Sequence, residues 1–322
     1  MRKLTRKLTW ILAVVFVSAP AIGVVSAQQG ANARPAWAFL VADKEQPPAE
    51  DPTVPQHIPG SAKAYTPKQI DDLAHPPLWF PDEFGSRPPV VSGEGVAVLA
   101  CGSCHLMSGE GHPESAGLAG FPVEYLVRQM LDFKTGARKD PVRMSAIGKI
   151  TSDADAKAAA EYFAAIKPVQ WVKVVETSTV PKSYVAAPGR MRFPLPGGGM
   201  EPLGNRIVEL PEDAHRAASR DPKSGFVAYV PPGSVAKGKQ LVMTGGNGKT
   251  INCTICHGDS LEGIGDVPRL AGLHPLYLAR QLSMFQTDAY NGNSSALMKK
   301  VVAKLTEDDM LVLAAYAASL KP

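Results

Sequence analysis

The chain has 322 residues, which is enough for two small domains and additional segments. Four of its 34 basic residues lie within the first seven positions, and the remainder balance the 30 acidic residues. This balance gives no reason to expect nucleic acid or an acidic membrane surface as a partner.

Residues 1–27 are predicted to form a secretory signal peptide. Basic residues precede an apolar run over residues 10–17, and the small residues at 25–27 offer a cleavage site. An uncleaved membrane anchor is the alternative, but Pro20 interrupts the apolar stretch. We therefore predict cleavage after Ala27 and a periplasmic protein, with membrane association only if the signal is retained or through a partner.

Residues 28–90 form a proline-rich arm. Its many prolines, including the pairs at 47–48, 76–77 and 88–89, exclude long helices and central strands. One short helix is predicted over residues 66–73, where Thr66 can cap the first turn. The arm also carries bulky aromatic side chains that a solvated tail does not need, so we expect it to pack on a domain surface. These are Trp37, Phe39, Trp79 and Phe80.

Two C-x-x-C-H motifs follow, one in residues 91–168 and one in residues 233–322. The motif residues are Cys101, Cys104 and His105 in the first copy, and Cys253, Cys256 and His257 in the second. This spacing is the attachment signature of a c-type haem, in which two thiols bond the porphyrin edge and the histidine ligates iron. All four cysteines lie in the motifs. A local redox pair is the alternative at each site, but the histidine after both pairs favours two covalently bound haem c groups.

Between the two copies, residues 169–232 are predicted to form an ordered strap. This segment is rich in proline and contains the glycine run at 197–199, with short strand-like pieces at 206–210 and 226–230. A flexible linker is the alternative, but the apolar residues around Trp171 exceed what a linker needs.

The two copies repeat each other at an offset of 152 positions. Leu-Ala-Gly at 118–120 recurs at 270–272, and the next helix carries Tyr, Gln and Phe in both copies. Each copy ends in a helix with an acidic first turn, and there the offset is 154. The second copy opens with a predicted helix over 234–244, whereas the segment before Cys101 is shorter, so the first copy is expected to borrow packing from the arm. These helices predict an all-α fold.

Methionine is the first residue type to consider as the second axial ligand of each iron. Met144 and Met298 match at offset 154 and lie 39 and 41 residues after their histidines. A methionine at helical spacing usually belongs to a core, but paired placement favours these two as ligands. The other compared methionines, Met130, Met284 and Met310, have no methionine counterpart.

Each ligating imidazole is also expected to donate its other nitrogen to a backbone carbonyl. The candidates are the carbonyls of Pro268 in the second copy and of Ala116 in the first. The remaining histidines show no paired placement, which is typical of surface or packing groups. They are His57, His75, His112, His215 and His274, of which His112 is the one rival ligand because it lies close to the first motif.

Together these features resemble the di-haem class I c-type cytochromes, and in particular the tandem-domain cytochrome c-four family. The resemblance covers residues 91–168 and 233–322 and rests on the motifs, the P-x-LAG-like segment at 268–272, the Tyr and Gln of the next helix and the later methionine. It implies two helical domains, each with one covalent His/Met haem, that pass electrons between periplasmic donors and an oxidase or reductase. The long strap and the arm lie outside this family pattern.

The predicted function is that of a periplasmic electron carrier with no catalytic residues. Its expected partners are redox proteins: a donor dehydrogenase or reductase and an acceptor oxidase or cytochrome. One alternative is the cytochrome subunit of an exported dehydrogenase, with the arm and strap as docking surface. Another is a di-haem peroxidase-type enzyme in which one methionine is displaced from iron.

Overall fold

A computed structural model describes residues 34–48, 51–94, 99–140, 142–187 and 191–322. The predicted signal peptide lies outside these ranges. Within them, no helix combines the length and the apolar composition needed to cross a membrane.

The described part of the arm contains one 3-10 turn and two short helices and packs on the rest of the chain. The elements are the 3-10 turn Ala36–Ala38, α1 (Pro67–Ile70) and α2 (Pro89–Ser92). A capping box between Thr66 and Gln69 starts α1, which is shorter than the predicted helix. Trp79 is only 2% exposed, and its Nε1 donates to the carbonyl of Ser219 in the strap. The expectation that the arm covers other parts of the chain is met.

The first copy is helical. It comprises α3 (Gly102–His105), α4 (Val123–Thr135), α5 (Met144–Ile150) and α6 (Asp153–Ala165). Ser152 caps α6 by accepting a hydrogen bond from the Asp155 amide. Among the described residues between the arm's prolines at 88–89 and the motif, α2 is a single helical turn, and the arm supplies part of the packing: the Ala100 amide donates to the Leu73 carbonyl and the Cys101 amide to the Val90 carbonyl.

The strap folds into strands, so the prediction of an all-α fold is wrong. The strands are β1 (Val172–Glu176), β2 (Thr179–Pro181), β3 (Ser183–Val185), β4 (Arg192–Pro194), β5 (Met200–Pro202), β6 (Val208–Pro211) and β7 (Phe226–Val230), with α7 (Ala214–Ala218) between β6 and β7. In the three-stranded sheet β1-β7-β6, β1 and β7 run parallel and β6 and β7 antiparallel. The strands β2 and β5 form one two-stranded ribbon, and β3 and β4 form another.

The physical reason is the alternation of apolar residues in the strap. Along β7, Phe226, Ala228 and Val230 are buried while the residues between them are half-buried. Phe226 and Ala228 pack in a cluster with Leu106 of the first copy. Val230 belongs to the large core, which contains residues of both copies. The sheet therefore packs against both copies.

The second copy has the fuller set of helices. They are α8 (Ser234–Thr244), α9 (Thr254–His257), α10 (Pro275–Gln286), α11 (Ser295–Val302) and α12 (Glu307–Ser319). A capping box between Thr306 and Asp309 starts α12. The helices α8 and α12 cross where Gly238 meets Val312, so closely that a Cβ at 238 would lie 2.0 Å from the Val312 carbonyl oxygen.

Candidate haem sites

Each C-x-x-C-H motif forms a single helical turn that follows its first cysteine. The two cysteines of a motif are three residues apart, so their sulfurs lie on one side of the turn. Burial raises the pKa of Cys101 to about 12 and that of Cys253 to about 11.

Both motif histidines make the hydrogen bond expected of an iron ligand. His105 Nδ1 lies 2.8 Å from the carbonyl oxygen of Ala116, and His257 Nδ1 lies 2.8 Å from that of Pro268. A carbonyl oxygen only accepts, so Nδ1 carries the proton and Nε2 keeps its lone pair. Burial lowers the pKa of both histidines, which favours the neutral form that binds a metal. The donor set therefore fits a haem iron in each copy.

Glycines set the loops that bring these carbonyls to the histidines. The amides of Gly111 and Gly263 donate to the carbonyls of His105 and His257, and both glycines have positive φ. A Cβ at Gly111 would lie 2.4 Å from the Ser115 carbonyl oxygen, so a larger residue would open the loop. The two copies thus hold their histidines by the same local device.

The proposed methionine ligands both lie on the short helix after the long central helix of their copy. Met144 is half-buried at the first residue of α5, and Asp140 Oδ1 orders the preceding turn by accepting from three successive amides. Met298 is half-buried on α11 and packs against the same core as Cys253. Ligation by either methionine stays a prediction.

The other histidines divide into exposed and buried groups. His57 and His215 contact each other through a hydrogen bond from His215 Nε2 to the His57 carbonyl, and exposed His75 pairs with Asp72. His112 is buried and accepts from the Glu114 amide through Nδ1. His274 is buried and its Nδ1 forms a hydrogen bond with the Glu209 carboxylate.

A polar network joins the two copies, and the sequence did not reveal it. Arg138 is buried and donates to Gln129 in its own copy at 2.7 Å, and to Gln281 at 2.6 Å and Tyr277 at 3.2 Å in the other. The backbones of residues 138 and 290 also pair as an antiparallel bridge. At offset 152, Arg138 corresponds to Tyr290, so the two copies carry different residues at the point where they meet. This mismatch within an otherwise matched segment was the sequence signal that could have indicated the network.

We expect Arg138→Met to loosen the contact between the copies. Its removal leaves buried Gln129 and half-buried Gln281 and Tyr277 without this donor, which should lower the free energy of unfolding by about 2–3 kcal/mol. Denaturant unfolding of the holoprotein measures this. The control is Arg128→Met, which removes an exposed inter-copy ion pair with Asp266 and should cost less than about 1 kcal/mol. Equal losses in the two variants would contradict a special role for Arg138.

Comparison with known proteins gives a consistent result. Residues 235–321 match the Cytochrome c family. Cytochrome c4 of Stutzerimonas stutzeri is 26% identical over 234 residues, which covers 71% of this chain and 88% of that protein. The thiosulfate dehydrogenase electron acceptor of Thiomonas intermedia is 26% identical over 226 residues, which covers 68% of this chain and 78% of that protein.

A solved structure is also similar. Thiosulfate dehydrogenase (TsdBA) from Marichromatium purpuratum shares 27% identity and a TM-score of 0.47, over 70% of this chain and 37% of that one. This chain therefore matches little more than a third of the solved protein. The sequence matches confirm the resemblance to cytochrome c4 and, with the two motifs, two covalently bound haem c groups.

Proposed function

We propose that this chain, a di-haem c-type electron carrier similar to cytochrome c4, works in the periplasm and passes electrons between respiratory proteins through two His/Met haems. One observation supports this most strongly: both motif histidines present a neutral Nε2 that is held in place by a carbonyl bond on Nδ1. The two cytochrome domains are proposed to span residues 91–168 and 233–322.

The residues divide the work between attachment and ligation. Cys101 and Cys104 attach one haem and Cys253 and Cys256 the other, each through thioether bonds. His105 and His257 ligate iron on one face, and Met144 and Met298 are proposed for the opposite face. A bound haem supplies an iron that alternates between ferric and ferrous states. With a protein ligand on each face no position stays open for substrate, so we propose that the chain has no catalytic residue of its own.

A second candidate is the cytochrome subunit of an exported dehydrogenase complex. Two similar proteins favour it, because one is named as the electron acceptor of thiosulfate dehydrogenase and the other as thiosulfate dehydrogenase itself. The structured arm and strap add surface that a partner subunit can use. The substrate of such a partner is not proposed.

Spectroscopy and purification test both candidates. We expect the mature protein in the periplasmic fraction, with two low-spin haems per chain and a methionine-to-iron charge-transfer band in the ferric state. A high-spin haem with peroxide turnover would instead favour the peroxidase alternative. Purification under native conditions separates the two leading candidates: a stoichiometric larger subunit indicates a dehydrogenase complex, and a single chain indicates a free carrier.

A further inference from the structure

The residue before the second cysteine is buried in the first motif and exposed in the second. Ser103 and Ile255 correspond at offset 152, and each precedes the second cysteine of its motif. Ser103 is fully buried, whereas Ile255 is 67% exposed. A thioether places the porphyrin edge one covalent bond from the cysteine sulfur, so these residues border the attached edge of each haem.

Arm and strap together close the first motif. Ser103 Oγ donates to the Leu73 carbonyl of the arm at 2.6 Å. From the strap, Arg220 donates to the Ser103 carbonyl and, through Nε, to the Ile70 carbonyl of the arm at 2.8 Å. The guanidinium of Arg220 therefore connects the strap to both the arm and the first motif. We call this arrangement of Ile70, Leu73, Ser103 and Arg220 the clamp.

Further contacts hold the arm to the strap around the clamp. Trp79 donates to the Ser219 carbonyl, directly before Arg220 in the chain. Lys223 pairs with Glu83 at 2.6 Å, and the ammonium of Lys223 lies 3.6 Å from the ring centroid of Phe80. The cover over the first motif is thus built into the fold by several contacts.

The second motif carries an exposed apolar patch instead. Met243, Ile251 and Ile255 are all exposed. The segments that carry them lie side by side, because the Cys253 amide donates to the Val242 carbonyl and the Asn252 side chain to that of Met243. We call these three exposed residues the open patch. Contiguous exposed apolar residues of this kind mark interaction sites.

The open patch has a basic surrounding. Lys239 lies four residues before Met243 on α8. The Thr250 hydroxyl donates to the Val301 carbonyl, which brings the segment that carries Lys300 and Lys304 close to Ile251. Among the described residues, these three exposed lysines form no ion pair. Asp259 and Glu262 are exposed carboxylates after the motif, so the three lysines outnumber them by one.

We propose that redox partners dock on the open patch and exchange electrons with the second haem, while the clamp keeps them from the attached edge of the first. The partner that fits is a protein with an exposed cofactor edge, an apolar contact surface and acidic residues around it. This inference rests on the proposed electron-carrier function. The first haem then exchanges electrons with the outside through the second.

Reduction of the ferric holoprotein by flavodoxin hydroquinone, an acidic probe, tests the proposal. In each encounter the hydroquinone loses one electron to become the semiquinone, and one ferric haem becomes ferrous. We expect Ile255→Glu to lower the second-order rate about tenfold, and salt to lower the wild-type rate. The matched variant Ile150→Glu replaces an isoleucine of similar exposure, 63%, in the first copy and should change the rate less than twofold.

Hydrogen exchange provides a readout that does not depend on electron transfer. Oxidised flavodoxin should protect amides 251–256 and leave amides 99–105 unchanged. Equal rates for the two variants, a larger effect of Ile150→Glu, or protection at the first motif would overturn the proposal. A wild-type holoprotein without low-spin haems would instead contradict the proposed function, so the two failures are distinguishable.

Discussion

Replacing Met298 by leucine should lower the midpoint potential of one haem by more than about 100 mV, because a thioether ligand stabilises ferrous iron and leucine offers no donor. Leucine keeps most of the side-chain volume, so the core against which Met298 packs should survive. The methionine-to-iron charge-transfer band should fall to about half of its wild-type intensity, since one haem of two retains its methionine. Redox titration and ferric absorption spectra measure both effects.

The control for this experiment is Met284→Leu. Met284 lies on α10 of the same copy, is half-buried, and matches Asp132 rather than a methionine in the first copy. Its replacement should leave both potentials and the band unchanged. If Met298→Leu behaves like Met284→Leu, Met298 is not the ligand. Met144→Leu should reproduce the Met298→Leu result at the other haem.

Loss of Glu209 should be the most destabilising single change in the strap. The carboxylate on β6 is buried, bonds His274 Nδ1 at the start of α10, and is also reached by the Leu276 amide. His274 is itself 1% exposed, and its Nε2 has no hydrogen-bond partner among the described residues. Removing Glu209 leaves the buried His274 without its partner, so we expect Glu209→Ala to lower the free energy of unfolding by about 3–5 kcal/mol.

Thermal or denaturant unfolding of the holoprotein checks this value. Glu201→Ala is the matched control, because Glu201 lies on another strand of the strap and pairs with Arg206 at the surface. That variant should cost less than about 1 kcal/mol. Glu209→Gln, which keeps a side-chain oxygen near His274, should fall between the two. A cost for Glu209→Ala as small as that of Glu201→Ala would show that the strap does not hold α10 through this pair.

Local features of the copies were predictable because they depend on neighbouring residues. The motif spacing predicted the haem attachment sites, and the acidic first turns correctly predicted the two terminal helices, which Ser152 and Thr306 cap. The carbonyl acceptors of both motif histidines, Ala116 and Pro268, were also predicted correctly. All of these follow from short-range geometry and from the comparison of one copy with the other.

The prediction failed where short apolar pieces depend on distant partners. Alternating apolar residues predict the strand-like pieces at 206–210 and 226–230, yet the helical repeats predict an all-α fold. The parallel partner of β7 is β1, which lies more than fifty residues earlier in the chain. A local sequence pattern therefore could not predict this sheet. Arg138 was missed for the same reason, since its acceptors in the second copy lie about 140 residues away.

The sequence by itself determined the covalent chemistry: four cysteines and two histidines in a repeated spacing, with one methionine pair at matching positions. The sequence also indicated that the second copy is the fuller one, but only the tertiary structure decided which of the two motifs is covered. Ser103 and Ile255 occupy equivalent places in identical local turns, and only the return of the arm and strap over the first motif buries one and leaves the other exposed. Burial of a side chain depends on which distant segments pack over it, and residues adjacent in sequence do not encode that.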